Sequence, residues 1–305
     1  MPSANMNTTA TLSAENQTFY DKVLLKRMLP ALVFMRFAQK KAIPHRSGKK
    51  INFRRFTPLA KATTPLTEGV TPEGSSLHVD EVEATMKQYG DFVEITDVLD
   101  LTGKDPVLTE TCELLGEQSG ATLNDVTCAE ICSGTNVQYA GGVEGTANVT
   151  AKITEEEIKK AARTLKKANA PKIDGSYIGI IDPDIAYDIQ NLPLWQDVSK
   201  YSGGKAIMEG EIGKIGGVRF IETTETLVKE GKIHCAMIIG KDAYGAVDLG
   251  NKDAKQKPHI IVKPFGSGGT TDPLDQRQTA GWKAMYTAVR LNELAMVRLE
   301  VAVSE

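Results

Sequence analysis

Apolar positions near the amino end predict two short helical pieces. Four apolar residues recur near helical spacing: Phe19, Val23, Leu24 and Met28. Ser13 precedes them and can cap this helix, and Pro30 interrupts it. A second helical piece is predicted from Leu32 to Phe37. We expect residues 1–47 to form an amino-terminal arm rather than part of a core.

From residue 50 the apolar period changes to two, which predicts a β-hairpin. Ile51 and Phe53 alternate with polar neighbours, and strand-like composition returns from Leu77 to Val98. The stretch between these strands holds three prolines and two glycines, so it is too irregular for a core element. We therefore predict a long two-stranded hairpin over residues 48–98 with an irregular tip. Such a hairpin is not stable alone and should lie on another surface.

A long helix is predicted after the hairpin. Asp105 followed by Pro106 favours a helix start, because Asp can cap free amides and Pro already has helical φ. Apolar residues at helical spacing continue to about Cys132, and Ser133-Gly134 end the pattern. At ~1.5 Å per residue, the helix would be roughly 40 Å long. That is long for a domain of a chain with 305 residues.

Strands and helices mix in residues 150–265. Thr154 and Glu157 form a capping box, and Asp182-Pro183 starts another helix directly after the strand sequence YIGIID. Further strands are predicted from VRFIET, HCAMIIG and HIIVKPF, and from a strand-rich stretch near the carboxyl end. The predicted fold class is therefore α+β.

Composition is typical of a soluble protein. Hydrophobic residues make up 41% and charged residues 25%, and no run of eighteen uncharged apolar residues occurs. We expect no membrane span. The first twenty residues hold no Lys or Arg and no apolar stretch, so we expect no signal peptide, a reducing compartment and free thiols at all four cysteines.

Charge is distributed unevenly although the net charge is only −3. Residues 22–67 contain twelve Lys or Arg and no acid, whereas residues 68–157 contain nineteen acids and three bases. Three interpretations fit this split: a nucleic-acid-binding arm, docking of one subunit's basic segment on another's acidic segment, or two solvated faces without a partner.

No motif for catalysis or for nucleotide binding is complete. None of the six Gly-Lys dipeptides has the spacing of a phosphate-binding loop, and no Gly-x-Ser-x-Gly elbow occurs. Cys128 and Cys132 stand one helical turn apart, and His234-Cys235 could complete four metal ligands. Adjacent strand residues point to opposite faces, so small buried hydrophobes are the better interpretation of these cysteines. We expect no catalytic residues, no cofactor and no metal.

Short motifs in colinear order resemble one family of phage capsid proteins. The motifs are GKKINFRRFTPL (48–59), TPLTEGVTP (64–72), QYG (88–90), LGEQ (115–118), SGTNV (133–137), DPLDQRQ (272–278) and GWK (281–283). Together they resemble the relatives of the coliphage N-four major capsid protein. The order of elements is similar to the Hong Kong 97-like fold of tailed-phage capsid proteins, and the resemblance covers nearly the whole chain.

The resemblance implies a division of the chain and a structural function. The implied parts are an amino-terminal arm (1–47), an extended loop (48–98), a peripheral domain with a spine helix (99–149 and 266–305) and an axial domain (150–265). The implied function is a major capsid protein, without enzymatic activity, that self-assembles as pentamers and hexamers into an icosahedral head around double-stranded DNA. Expected partners are a separate scaffolding protein, a portal and non-specifically packaged DNA, with no membrane. Expected locations are the virion capsid and, during assembly, the host cytoplasm.

Opposite charges suggest where such subunits would meet. The basic segment contains the first hairpin strand, and the acidic segment contains the second strand and the long helix. Docking of one on the other would set register and orientation more than affinity. The candidate inter-subunit contacts are Arg54, Arg55, Glu68, Asp91 and Glu94.

Two alternatives remain at this point. An encapsulin-like compartment would use the same fold to enclose cargo without DNA, but the extended-loop motifs argue against it. An α/β enzyme acting on a small molecule would instead be a discrete 33.0 kDa monomer with a tight ligand.

Overall fold

The computed structural model describes fifteen strands in four sheets, together with helices and short 3₁₀ turns. It describes residues 21–24, 26–28, 32–42, 49–57, 59–103, 106–193, 195, 211–249, 258–268 and 272–304. The helices are α1 (residues 21–24 and 26–28), α2 (Asp97–Thr102), α3 (Val107–Cys132), α4 (Glu155–Lys167) and α5 (Pro183–Gln190). Within the described residues, no helix is long and apolar enough to span a membrane.

The strands are short and spread over the whole described chain. They are β1 (Gln39–Lys41), β2 (Lys50–Phe56), β3 (Val79–Thr85), β4 (Lys87–Thr96), β5 (Val137–Tyr139), β6 (Tyr177–Ile181), β7 (Glu211–Ile215), β8 (Val218–Glu222), β9 (Val228–Lys229), β10 (Ile233–Ile239), β11 (Tyr244–Val247), β12 (His259–Lys263), β13 (Arg277–Tyr286), β14 (Ala288–Arg290) and β15 (Met296–Ala302).

A seven-stranded mixed sheet forms one core. Its order is β5-β15-β10-β6-β8-β7, with β9 beside β10. Every residue of β6 and β10 is buried, because continuous apolar strands need cover on both faces. The N-caps of α4 and α5 are as predicted: Thr154 Oγ1 accepts from the Glu157 amide at 3.3 Å, and Asp182 Oδ1 accepts from the Ile185 amide at 3.0 Å. The capping box predicted for α4 is only half formed, because the Glu157 carboxylate accepts from Gln138 Nε2 at 2.6 Å.

Strand β15 corrects the predicted division of the chain. The sequence grouped residues 266–305 with the long helix, whereas β15 pairs with β10 along seven residues, in the sheet of residues 150–265. All but its last residue are buried. A central position in the sheet covers both faces of the strand, which suits its apolar side chains.

The second core lies between α3 and a three-stranded sheet, β12-β13-β4. Helix α3 ends at Cys132 before Ser133-Gly134, as predicted, and starts after Pro106; Asp105 lies outside the described residues. The Trp282 ring packs toward α3 and its Nε1 donates to Gln118 Oε1 at 2.9 Å. A third sheet, β1-β11-β14, has β1 and β11 in parallel.

The predicted hairpin exists but is shorter than expected. Strands β2 and β3 pair antiparallel from Lys50↔Thr85 to Phe56↔Val79. After Met86 the chain leaves the hairpin, and β4 pairs instead with β13 over ten residues. The second predicted strand is therefore two strands in two sheets. Strand β13 pairs with β4 over ten residues, whereas β2 pairs with β3 over only seven.

The expectation that residues 1–47 stay outside the core is wrong for the described part of that segment. Leu24, Met28 and Phe34 are at most 1% exposed, and the Phe34 amide donates to Asn124 Oδ1 of α3 at 3.1 Å. The apolar residues that predicted a helix are the ones that bury α1 against α3. Ser13, Phe19 and Pro30 lie outside the described residues.

Candidate assembly surface

Opposite charges meet across the hairpin of a single subunit. Arg54 lies opposite Glu81 in the β2–β3 register, and its Nε donates to Glu81 Oε1 at 2.9 Å. Lys50 forms an ion pair with Glu83 in the same ladder. These side chains are largely exposed, so each pair stabilises the hairpin by at most about 1 kcal/mol. The charge split in the sequence therefore serves partly to pair the two strands of one hairpin.

A second pairing of the basic and acidic segments joins α1 to α3. Arg27 Nε donates to Glu113 Oε2 at 3.0 Å, and Arg27 Nη1 lies 3.3 Å from Glu117 Oε1. The hydrogen bond that Arg27 donates to Glu113 and the negative charge of Glu113 raise the pKa of Arg27. Helix α3 contains no Lys or Arg, so α1 supplies cations to an otherwise acidic surface.

The candidate contact residues from the sequence are all exposed and lie in three places. Arg54 and Arg55 are on β2, where Arg55 lies opposite Asp80, and Glu68 is in the irregular tip. Asp91 and Glu94 are on β4, on opposite faces of its sheet because they are three positions apart along the strand. The structure therefore does not gather the five residues into one site.

Two of these acids already have partners within the subunit. Asp91 Oδ2 accepts from Gln118 Nε2 at 2.7 Å, and this bond, together with one from the Phe92 amide, lowers the pKa of Asp91. Glu94 Oε2 lies 3.7 Å from Arg277 Nη1. Asp91 thus fixes the sheet on α3, and Glu94 remains on the open face of the sheet.

That open face carries a groove that sequence reasoning missed. Its floor is a row of three paired residues, Ile261, Gly281 and Phe92. A β-carbon at Gly281 would lie 2.7 Å from the Phe92 β-carbon. That distance is too short for a real contact, so a glycine at 281 leaves the room that the Phe92 side chain occupies. We call this feature the sheet groove; it encloses about 850 Å³ and its wall includes Lys263 and Lys283.

Phe92 is unusual because it is a large aromatic residue and yet is 62% exposed. An exposed aromatic ring beside a glycine marks a place where another surface can pack. The sequence contained a signal for it, since Gly90 and Phe92 occupy one face of β4 where polar residues would be expected. The partner Gly281 comes from β13, so only the tertiary pairing completes the groove.

The hairpin tip, residues 57–78, exposes a second set of apolar side chains. The exposed apolar residues in it are Leu59, Leu66, Val70 and Leu77. Hydrogen bonds within the tip are local, as between the Val70 amide and the Thr67 carbonyl at 3.1 Å. An exposed segment with this much apolar surface is typical of an interface.

The cysteines are buried thiols, as the sequence predicted. All four are free and buried, and burial raises the pKa of Cys112 to about 11 and that of Cys235 to about 12. Cys128 and Cys132 lie with their sulfur atoms 3.7 Å apart. His234 pairs with Asp182 rather than with these thiols, so the four possible metal ligands considered from the sequence do not converge.

Comparison with known families shows to which family this chain belongs. A family model described as phage capsid protein matches residues 80–299. The chain belongs to this phage capsid protein family. The matched residues include the acidic segment from Asp80, helix α3 and the whole sheet groove, while β2 and the whole hairpin tip precede them. This capsid protein is therefore a structural component of the phage particle.

Solved structures show the same fold in other capsids. The capsid of cyanophage P-SCSP1u matches with a TM-score of 0.64 at 18% identity, over 90% of this chain and 89% of that chain. The capsid of Ralstonia phage GP4 matches with a TM-score of 0.71 at 11% identity over 88% of each chain. A virus-like particle from Pyrococcus furiosus matches with a TM-score of 0.57 at 11% identity, over 93% of this chain and 99% of that chain. No curated protein sequence matches this capsid protein.

Proposed function

We propose that this capsid protein is the major shell subunit of a tailed phage, with a Hong Kong 97-like fold of the kind found in relatives of the coliphage N-four major capsid protein. Copies of the chain assemble as pentamers and hexamers into an icosahedral head around double-stranded DNA, and the chain has no enzymatic activity. The observation that carries this proposal is the family match over residues 80–299 on a fold shared with phage capsids.

The proposed shell contact joins the hairpin tip of one subunit to the sheet groove of its neighbour. The tip exposes Leu66 and Val70, and the groove exposes Phe92 and Ile261. Packing these apolar groups together would remove both surfaces from water, which neither subunit does alone. A contact of this type is heterologous, so repetition around an axis closes it into rings.

Side chains of opposite charge are available at the rim of this contact. Glu68 and Glu73 lie in the tip, and Lys263 and Lys283 lie beside the groove floor. Pairs at the rim of an interface select register and speed encounter more than they add affinity. Glu68 thus remains a candidate contact, whereas Arg54 and Arg55 lie on the hairpin strand that would approach the neighbour's acidic surface.

Sedimentation tests the assembly, and one pair of variants tests the contact. Purified chain should sediment as large particles rather than as a 33.0 kDa monomer. Phe92→Ser should weaken each subunit contact by about 2 kcal/mol, roughly thirtyfold, and leave monomers. Leu114→Ser, which removes a similarly exposed apolar side chain from α3, is the matched control and should assemble normally. Equal particle yields from the two variants would exclude the groove from the contact.

A cargo compartment is the second candidate, favoured by the similarity to the Pyrococcus furiosus virus-like particle. The contents of native particles discriminate between the two. Nuclease-protected double-stranded DNA supports the phage head, in which a separate scaffolding protein, a portal and DNA are the proposed partners. Stoichiometric enclosed protein without DNA supports a compartment.

A further inference from the structure

Two carboxylates and an imidazole converge at the end of β6, away from the sheet groove. Asp182 follows β6 and caps α5, Asp184 lies in the first turn of α5, and His234 is the second residue of β10. His234 Nδ1 contacts Asp182 Oδ2 and lies 3.9 Å from Asp184 Oδ2. One ligand atom from each residue lies within 4.8 Å of the other two.

The three side chains differ in burial in a way that suits an ion-binding site. The Asp182 and His234 side chains are only 6% and 11% exposed, so these two groups are held in place. The Asp184 side chain is 63% exposed, which leaves a path from solvent. Asp182 Oδ1 is used by the Ile185 amide, which orients Oδ2 toward the imidazole.

The donor set has the chemistry of a transition-metal site. One imidazole nitrogen and two carboxylate oxygens suit zinc and similar divalent ions, and two carboxylates balance the charge of the ion. Metal–ligand bonds of about 2.0–2.2 Å require ligand atoms roughly 3–3.5 Å apart, so small side-chain rotations suffice to admit an ion. Water would complete the coordination from the exposed side.

We propose that Asp182, Asp184 and His234 bind a divalent transition-metal ion of the zinc class, one per chain. Helix capping explains Asp182 alone, and a hydrogen-bonded pair explains Asp182 with His234. Neither explains why the same imidazole nitrogen faces a second carboxylate on α5. None of the three residues belongs to the hairpin tip or the sheet groove, so metal binding and the proposed shell contact can be tested separately.

Calorimetric titration of the intact chain with zinc in a non-chelating buffer tests the proposal. We expect saturable binding with a dissociation constant on the order of micromolar or lower. Asp184→Asn and His234→Gln should each weaken binding by roughly tenfold or more. Asp182→Asn removes the anionic ligand but disturbs folding less than other replacements at this position, because Asn still caps the helix. Asp242→Asn removes an exposed acid elsewhere and should bind zinc normally.

Cobalt replaces zinc in a second measurement that locates the ion. A visible spectrum from nitrogen and oxygen ligands, lost in His234→Gln, supports the site. A sulfur-to-cobalt charge-transfer band would place the ion at cysteines and overturn the proposal. Absence of saturable binding, or equal binding by Asp184→Asn and the unmodified chain, would overturn it as well.

Discussion

Gly116 of α3 faces the backbone of Leu24 so closely that a β-carbon at Gly116 would lie 2.8 Å from the Leu24 carbonyl oxygen. Leu24 is fully buried, and the neighbouring Arg27 pairs with Glu113 one turn before Gly116. A single glycine therefore lets α1 pack on α3 with backbone against backbone. This packing is why the amino-terminal segment belongs to the core of the capsid subunit.

Replacing Gly116 by Ala should destabilise the subunit despite the better helix propensity of Ala. Without the contact, the change would stabilise α3 by up to about 1 kcal/mol. Overpacking against Leu24 costs about 1–3 kcal/mol, so after this gain is subtracted we expect a net loss of up to about 2 kcal/mol in the free energy of unfolding. Urea unfolding measures it, with the exposed Leu114→Ala as the control, expected within about 0.5 kcal/mol. A Gly116→Ala subunit more stable than the unmodified one would contradict the close packing.

A buried ion network should give the subunit a specific acid sensitivity. Glu300 is fully buried, and its Oε1 accepts from Arg298 Nε at 2.8 Å and Lys229 Nζ at 2.7 Å. Burial raises the pKa of Glu300, but hydrogen bonds from Lys229 and Thr146 and two positive charges outweigh it, so the pKa is lowered. The stabilisation is thus present above the unfolded-state pKa, near 4.5, and is lost as pH falls through the folded-state value.

Glu300→Gln isolates this effect, because all other carboxylates remain. We expect the variant to be less stable than the unmodified chain at pH ~7 by about 3 kcal/mol, since the buried Arg298 and the partly buried Lys229 lose their counterion. The difference should shrink as pH falls below about 4.5. Unfolding by urea between these pH values measures it. A difference that does not change with pH would show that Glu300 ionisation makes no contribution.

Charge exchange across the hairpin separates contacts within a subunit from contacts between subunits. Arg54→Glu with Arg55→Glu should prevent shell closure, because like charges then face each other both across the hairpin and at a neighbour's acidic surface. Arg54→Glu combined with Glu81→Arg restores the pair within the hairpin but reverses its polarity. If inter-subunit docking matters, this exchanged variant should fold normally and still assemble poorly, measured as particle yield without DNA.

Two other results are possible for the charge variants. Normal assembly of the exchanged variant would mean that Arg54 serves only the hairpin. Normal DNA-free shells from the Arg54→Glu, Arg55→Glu variant would end the docking hypothesis and leave retention of packaged DNA as the function of these arginines. Because exposed pairs are screened over about 8 Å at physiological ionic strength, assembly driven by docking should also weaken as salt rises.

Hydrogen exchange should distinguish the hairpin tip in free and assembled subunits. Residues 59–76 make few backbone hydrogen bonds in the isolated subunit, so their amides should exchange rapidly. In particles, contact with a neighbour's groove should protect them. Strand β10, which is buried in the central sheet, provides the internal reference and should be protected in both states. Equal protection of the tip in both states would contradict the proposed contact.

Local sequence signals were sufficient to predict much of this fold, but they did not predict which strands pair over long range. Capping by Thr154 and Asp182, the end of α3 and the β2–β3 hairpin follow from residues close in sequence. The pairing of β4 with β13 could not be predicted, because the alternation of apolar and polar residues identifies a strand without identifying its partner. The same limit hid the sheet groove, which requires Gly281 beside Phe92, and the convergence of His234 with Asp182.

Electron microscopy of particles assembled from the purified chain tests the central claim most directly. The account predicts closed shells of uniform size, built from pentamers and hexamers, in which the hairpin tip of each subunit covers Phe92 of its neighbour. Sheets or tubes with the same contact would also support a shell-forming subunit. A discrete 33.0 kDa monomer under all assembly conditions, or shells in which Phe92 remains open to solvent, would contradict it.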